Sequence, residues 1–185
     1  MQDKIKLSIV IPVLNEGVNL KILLPILEAV AETPHEVLIV YDIAGDDSVP
    51  VVKSLQKKYP NMRLVHNTLG RGVINAIKSG VDNASGAYAL TIAADDIGPL
   101  LAIEDMASLM EQGMDLVNAT RYAHGGKNIG GVFISRMLSI MANKAFHMLS
   151  GSALTDPTFG VKMFNRQKFS ELYLESNPVG WAVAF

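Results

Sequence analysis

Five short apolar runs recur along this chain, each followed by a change of pattern, and that alternation restricts the fold more than any other feature. The runs occupy residues 7–12, 36–41, 62–66, 88–93 and 115–120. Their length and their content of Val, Ile and Leu are those of buried strands. Between the first two, Leu20, Leu23, Leu24, Leu27 and Val30 recur at helical spacing, which predicts a helix over 18–31. Pro25 falls inside it and is expected to kink it or to mark its true start. Further helices are predicted over 49–59, closed by Pro60, from Gly70-Arg71-Gly72 to about 81, and over 102–112. Strands alternating with helices of this length imply βαβ units, hence an α/β fold with a mostly parallel central sheet and helices on both faces.

Beyond Arg121 the pattern changes. A glycine-rich loop, 124–131, leads into one long predicted helix, 132–149, then a turn-rich stretch, 150–160, and a short strand, 161–164. No repeat or low-complexity linker separates the halves, so residues 1–185 are expected to pack as one domain. At 49% hydrophobic and 18% charged the chain is globular rather than disordered. A net charge of -2 excludes a partner such as nucleic acid held by bulk electrostatics. The absence of cysteine excludes disulfides and thiolate metal sites.

The polar start, Met1 to Lys6, does not read as a signal peptide. The longest apolar candidate, 132–149, is interrupted by Arg136, Asn143, Lys144 and His147 and so is not expected to span a bilayer. The apolar ending, 179–185, reads as the interior of a longer protein, with a natural C-terminal strand as the alternative.

The fourth run ends on a carboxylate pair, Asp95 and Asp96. In open parallel sheets ligands bind at the carboxyl ends of the strands, and two acids there suit Mg²⁺ or Mn²⁺. The competing reading is that one of them caps the helix beginning near Leu100. The other strand ends bring Asn15 and Glu16, then Asp42, then Arg121 to the same edge. Gly70-Arg71-Gly72 combines a helix N-terminus, glycine backbone and a cation, which suits a phosphate, although such a motif is often only a tight turn. No Gly-x-Gly-x-x-Gly follows the first strand and no Walker-type Gly-Lys-Ser/Thr is present, which argues against dinucleotide enzymes and P-loop phosphatases. Asp46 and Asp47 are expected to cap the following helix. His35, His66, His124 and His147 have no ligand spacing and read as structural or surface groups.

The ordered series Ser8-Ile-Val-Ile-Pro-Val-Leu-Asn-Glu16, Val40-Tyr-Asp-Ile-Ala-Gly-Asp-Asp-Ser48, Gly70-Arg71-Gly72 and Ala93-Ala-Asp-Asp96 resembles family 2 glycosyltransferases. Thr120-Arg-Tyr122 with Gly125-Gly126, Ser135-Arg136 opening a long helix, and Asp156-Pro-Thr-Phe-Gly-Val-Lys-Met-Phe164 are similar to segments of the dolichyl- or polyprenyl-phosphate mannosyltransferase branch.

That resemblance implies a GT-A nucleotide-diphospho-sugar transferase fold, with 1–122 as the nucleotide-sugar half and 123–185 as the acceptor half. It implies that Pro12, Asn15, Glu16 and Asp42 line the base and ribose pocket and that Arg71 lies near the diphosphate. Asp95, with Asp96, would hold a divalent metal. Arg121, Arg136 and Lys162 would face the acceptor phosphate and leaving group, with Asp156 also on the substrate side.

The implied reaction is inverting transfer of a sugar from a nucleotide-diphosphate sugar to a polyprenyl phosphate, at the cytoplasmic face of a membrane, with 132–149 as a contact to that surface. Ala93 stands where the family usually carries the first of two aspartates, Tyr41 where another aspartate is common, and Lys162 where arginine is usual. A catalytically silent nucleotide-sugar-binding domain and a sugar nucleotidyltransferase are the alternatives.

Overall fold

The structure is a computed structural model that describes residues 5–121, 141, 143, 148 and 154–172. Its strands are β1 (Leu7–Val13), β2 (His35–Tyr41), β3 (Met62–His66), β4 (Tyr88–Thr91), β5 (Leu116–Asn118) and β6 (Lys162–Asn165). Its helices are α1 (Gly17–Val30), α2 (Ser48–Leu55), α3 (Val73–Asp82), α4 (Ile103–Glu111), preceded by a 3-10 turn at Gly98–Ala102, and α5 (Arg166–Ser170). The strands form one sheet in the order β3-β2-β1-β4-β6-β5.

β1 pairs in parallel with β2 and β4, and β2 with β3. β6 runs antiparallel to both β4 and β5, so five strands point one way and β6 is inserted against them. The mostly parallel sheet is thus borne out, and its single reversed strand comes from the second half of the sequence.

Strand alternation divides the core into two layers. Leu7, Ile9 and Ile11 of β1 and Val37 and Ile39 of β2 pack with Leu20, Leu23, Leu24 and Leu27 of α1 and Ile103, Met106 and Met110 of α4. Val10, Leu38 and Val40 turn to the opposite face, against Ala76, Ile77 and Val81 of α3. Both faces of the central strands are therefore buried, which explains their unbroken apolar sequences.

α1 continues through Pro25 and begins at Gly17, so the proline does not mark its start. Among the described residues no helix is long and apolar enough to cross a membrane.

The topology has one switch point. From β1 the chain moves outward to β2 and β3, whereas β4 lies on the other side of β1 and leads away toward β6 and β5. The crevice beyond the carboxyl ends of β1 and β4 is where an open sheet of this kind leaves room for a ligand.

Candidate active site at the carboxyl edge of the sheet

A cavity of about 520 Å³ opens at this edge, lined by Pro12, Val13, Leu14 and Glu16 from the end of β1, Asp42 and Ile43 from the end of β2, and Arg71, Gly72, Val73 and Ala76 around the start of α3. Its walls are largely apolar, with a few polar groups converging on them, as small-molecule sites are. Four of the expected donor-site residues, Pro12, Glu16, Asp42 and Arg71, lie together here. Asn15 is not among the lining residues; it is exposed, and its backbone adopts φ 58°, a left-handed conformation that asparagine tolerates.

The turn carrying Asn15 is held by an arrangement with no local sequence signature. Three successive backbone N–H groups donate to three successive side chains: Asn15 to Asp46 Oδ2 at 3.1 Å, Glu16 to Ser48 Oγ at 3.0 Å and Gly17 to Asp47 Oδ1 at 2.8 Å. Donors at the start of α1 are thereby satisfied from a neighbouring loop. A Cβ on Gly17 would come within 2.7 Å of the Asp47 carbonyl oxygen, so this approach requires glycine.

The expectation that Asp46 and Asp47 cap their own helix holds for Asp46 only: its Oδ1 accepts from the Ser48 N–H at 2.8 Å, as a capping side chain does, whereas Asp47 makes no side-chain cap. The two acids are chiefly struts for the β1–α1 turn.

A second strut shapes the loop before α3. The Asp42 carboxylate accepts from Asn67 Nδ2 at 2.7 Å and from the Gly72 N–H at 3.0 Å. Asn67, buried at 5% exposure, also donates to the Gly70 carbonyl at 2.7 Å and accepts from the Leu69 N–H at 3.0 Å. Gly70 and Gly72 hold φ of 105° and 124°, accessible to few residues other than glycine. The loop therefore projects Arg71 into the cavity with no hydrogen-bond or ion-pair partner of its own among the described residues. Sequence reasoning missed Asn67; its position directly after β3 and three residues before Gly70 was the available signal.

Across the switch point, Asp95 is exposed and Asp96 half-buried. Neither caps a helix: the 3-10 turn starts after Ile97 and α4 after Ala102, without a side-chain cap in either case. Burial pushes the Asp96 carboxyl above its ordinary value, the charge of Asp95 pushes it further, and Arg121 pulls partly back. Two acids that repel one another, one of them within the field of a guanidinium, form a site that a cation would relieve. Ala93, also exposed, contributes no carboxylate, and no group of three acidic, His or Cys side chains suited to a metal occurs among the described residues. A cation at Asp95 and Asp96 would take its remaining ligands from water and from the phosphates of a bound donor, which suits Mg²⁺ or Mn²⁺.

Arg121 follows β5 and is clamped from several directions. Its backbone N–H and its Nε both donate to Asp156 Oδ2, at 3.0 and 2.9 Å, and its Nη2 donates to Asp156 Oδ1 at 2.8 Å and to Thr158 Oγ1 at 3.0 Å. The Phe159 ring lies 4.9 Å from the guanidinium carbon. Asn143 Nδ2 donates to the same Asp156 carboxylate at 2.6 Å. Burial raises the Asp156 carboxyl, but these donors, Arg121 foremost, outweigh it and hold the acid below its ordinary value. The Arg121 side chain keeps 24% of its surface exposed while Asp156 keeps none.

Two of the expected site residues lie inside the fold. Asp156 was expected on the substrate side, yet it lies wholly buried beneath Arg121. Lys162 was expected to face a phosphate, yet it is also fully buried: β6 inserts between β4 and β5, and the ammonium donates to the carbonyls of Pro157 at 2.6 Å and Phe159 at 3.1 Å. Arg136 and most of the expected helix 132–149 lie outside the described residues.

The fold has counterparts among solved structures. Among solved structures, glucosyl-3-phosphoglycerate synthase from Mycobacterium tuberculosis, in complex with Mn²⁺, uridine diphosphate and phosphoglyceric acid, matches with a TM-score of 0.69 and 17% identity over 90% of this chain and 58% of that one. The mannosyltransferase PcManGT from Pyrobaculum calidifontis, in complex with GDP-Man and Mn²⁺, matches with a TM-score of 0.63 and 18% identity over 90% of this chain and 46% of that one. At such identities the likeness establishes a shared fold, the GT-A fold.

In sequence, the chain is 32% identical over 145 residues to the undecaprenyl-phosphate 4-deoxy-4-formamido-L-arabinose transferase of Yersinia enterocolitica, covering 76% of this chain and 44% of that protein. It is 28% identical over 185 residues to the dolichol-phosphate mannosyltransferase of Pyrococcus furiosus, covering 96% and 51%. The chain spans about half the length of these curated relatives. The family description Glycosyl transferase family 2 matches residues 8–173, nearly the whole sequence, and the chain belongs to that family.

Proposed function

We propose that this chain transfers a sugar, with inversion, from a nucleotide-diphosphate sugar to a polyprenyl phosphate. The observation that carries the proposal is the placement, around one switch point, of the Pro12–Asp42–Arg71 cavity on one side and the Asp95, Asp96 and Arg121 cluster on the other. The named activities of its relatives, transfer to undecaprenyl phosphate and to dolichol phosphate, support the acceptor class. The residue roles are those the family resemblance implies, and the grouping of these residues at one edge supports them. Residues 1–122 supply the donor half of a single catalytic domain and 123–185 the acceptor half. A lipid-phosphate acceptor places the reaction at a membrane surface, at its cytoplasmic face if the donor is drawn from the cytoplasmic pool.

The donor's base and ribose lie against Pro12, Leu14 and Ile43, within reach of Glu16 and Asp42. Arg71, extended on its glycine hinges, approaches the diphosphate from the start of α3. Asp95 and Asp96 would hold a divalent cation, which supplies positive charge to the diphosphate as it leaves. Arg121 lies on the far side, near enough to Asp96 to shift its pKa, and its guanidinium attracts the anionic acceptor. A phosphate nucleophile is already an anion at neutral pH, so no side chain need remove its proton. Attack by an acceptor oxygen on the anomeric carbon forms one C–O bond as the bond to the diphosphate oxygen breaks. That single displacement inverts the centre, and the electron pair departs on the nucleoside diphosphate.

The test is turnover with GDP- and UDP-sugars and a short polyprenyl phosphate in detergent, with product configuration read by NMR. Lipid-linked sugar of inverted configuration is expected. Tight donor binding with no transfer to any lipid phosphate would instead identify a silent nucleotide-sugar-binding domain.

A further inference from the structure

We propose that Lys162 is a positioning residue for Arg121, acting through the strap 156–160 rather than by touching the acceptor. The inference rests on the acceptor-side role given to Arg121 above. The Lys162 ammonium donates to the Pro157 and Phe159 carbonyls. Those two residues are interleaved with the groups that grip Arg121: Asp156 precedes Pro157 and chelates the guanidinium, Thr158 accepts from it, and the Phe159 ring covers it. The strap is closed on itself by the Phe159 N–H donating to the Asp156 carbonyl at 3.0 Å. Its far end is fixed by Thr91 Oγ1, which donates to the Gly160 carbonyl at 3.0 Å. Lys162 is fully buried, with its ammonium turned to the strap carbonyls.

The surroundings fit a strut. Lys162 pairs across the sheet with Thr91 of β4 and Asn118 of β5, neither of them charged. Among the described residues, Asp156 favours the ammonium and Arg121 opposes it. Burial is the largest influence and pushes the lysine down to about 8. The strut is thus charged at neutral pH and loses its proton on moderate alkalinisation. A neutral amine still has two N–H bonds, but it no longer offers charge-assisted bonds to both carbonyls.

The experiment compares the full chain with Lys162→Met, Lys162→Arg and Phe159→Leu. Two readouts are taken: steady-state transfer to a short polyprenyl phosphate, and the NMR signal of the Arg121 Nε–H, assigned through Arg121→Lys. Lys162→Met is expected to lower kcat roughly tenfold with the donor KM unchanged, and to erase the protected Nε–H signal. Lys162→Arg is expected to restore both and to shift the alkaline loss of activity from about 8 to higher pH. Phe159→Leu keeps both backbone carbonyls and should show a smaller loss in the same direction, which serves if Lys162→Met does not fold.

A rise in acceptor KM with kcat and the Nε–H signal intact would overturn the inference and make Lys162 a direct phosphate ligand. An Nε–H signal indifferent to Lys162→Met, or to pH across 8, would overturn it equally. If the unmodified chain transfers no sugar, it is the acceptor reading that fails, whereas the Nε–H measurement still decides whether Lys162 holds Arg121.

Discussion

The acids at the amino end of the sheet and the pair Asp95 and Asp96 at its carboxyl end are used differently. At the amino end Glu36, 2% exposed, accepts from Ser8 Oγ at 2.8 Å, from the Ser85 N–H at 2.6 Å and from Arg63 Nη1 at 3.1 Å. Glu104 accepts from the N–H groups of Glu32 and Thr33 and from the Thr33 hydroxyl. Glu28 accepts from Asn61 and faces His35. At the carboxyl end Asp95 and Arg71 have no hydrogen-bond or ion-pair partner among the described residues, and Asp96 is pushed up rather than down. Carboxylates surrounded by donors hold a fold together. Carboxylates left side by side without donors are available to a ligand that brings charge of its own.

The contrast is sharpened by substituting one acid at a time. Asp95→Ala should produce the largest effect on chemistry, lowering transfer by roughly two to three orders of magnitude, with a melting temperature no lower than the parent's. Asp156→Asn should damage both properties. Removing one partner of a buried ion pair costs about 3 kcal/mol or more, and Arg121 loses its anchor, so a drop in Tm should accompany the drop in kcat. A variant that kept full stability would show that the clamp is not a structural pair.

Glu36→Gln, at the opposite end, should cost about 1–3 kcal/mol in chemical denaturation while leaving kcat per folded molecule unchanged. A change in kcat there would erase the distinction between the two ends.

The smallest effect concerns pH. Burial lowers His35, but its bonds to Glu28 and the Thr33 carbonyl and the charges of Glu28 and Glu104 outweigh that, so its pKa is raised above 6.5. Burial raises Glu28, yet His35 and Asn61 bring it below 4.5. A raised histidine stabilises fully below its unfolded value and stops doing so as pH rises through its folded value. A depressed glutamate stabilises above its unfolded value and stops as pH falls through its folded one. The pair therefore contributes most between those two ordinary values, and about 1 kcal/mol or less should disappear on going to pH 8. His35→Gln should flatten that slope.

Much of this was legible in the sequence, and the remainder was hidden for reasons that particular residues make plain. The parallel strands could be read because their residues are buried on both faces and spell continuous apolar runs. Asp42, Arg71, Asp95 and Arg121 could be placed at one edge because each follows a strand. The location of β6 could not be read, since its pairing with β4 joins segments about seventy residues apart. That single pairing changes the meaning of two charged residues: Lys162 and Asp156 look like surface groups in sequence and are interior groups in the fold. The strut role of Asp46, Asp47 and Ser48 was hidden for a related cause. Their partners are the Asn15, Glu16 and Gly17 amides, roughly thirty positions earlier, and local capping rules see only the helix that follows.

The central claim, that the carboxyl edge is a donor site completed by Asp95, is tested most directly by calorimetric titration of GDP and of UDP, each with Mn²⁺, with Mg²⁺ and with EDTA, on the parent chain and on Asp95→Ala. The account predicts that one nucleotide binds with metal, binds far more weakly with EDTA, and loses its metal dependence in the variant. Tight binding indifferent both to EDTA and to Asp95→Ala would contradict it.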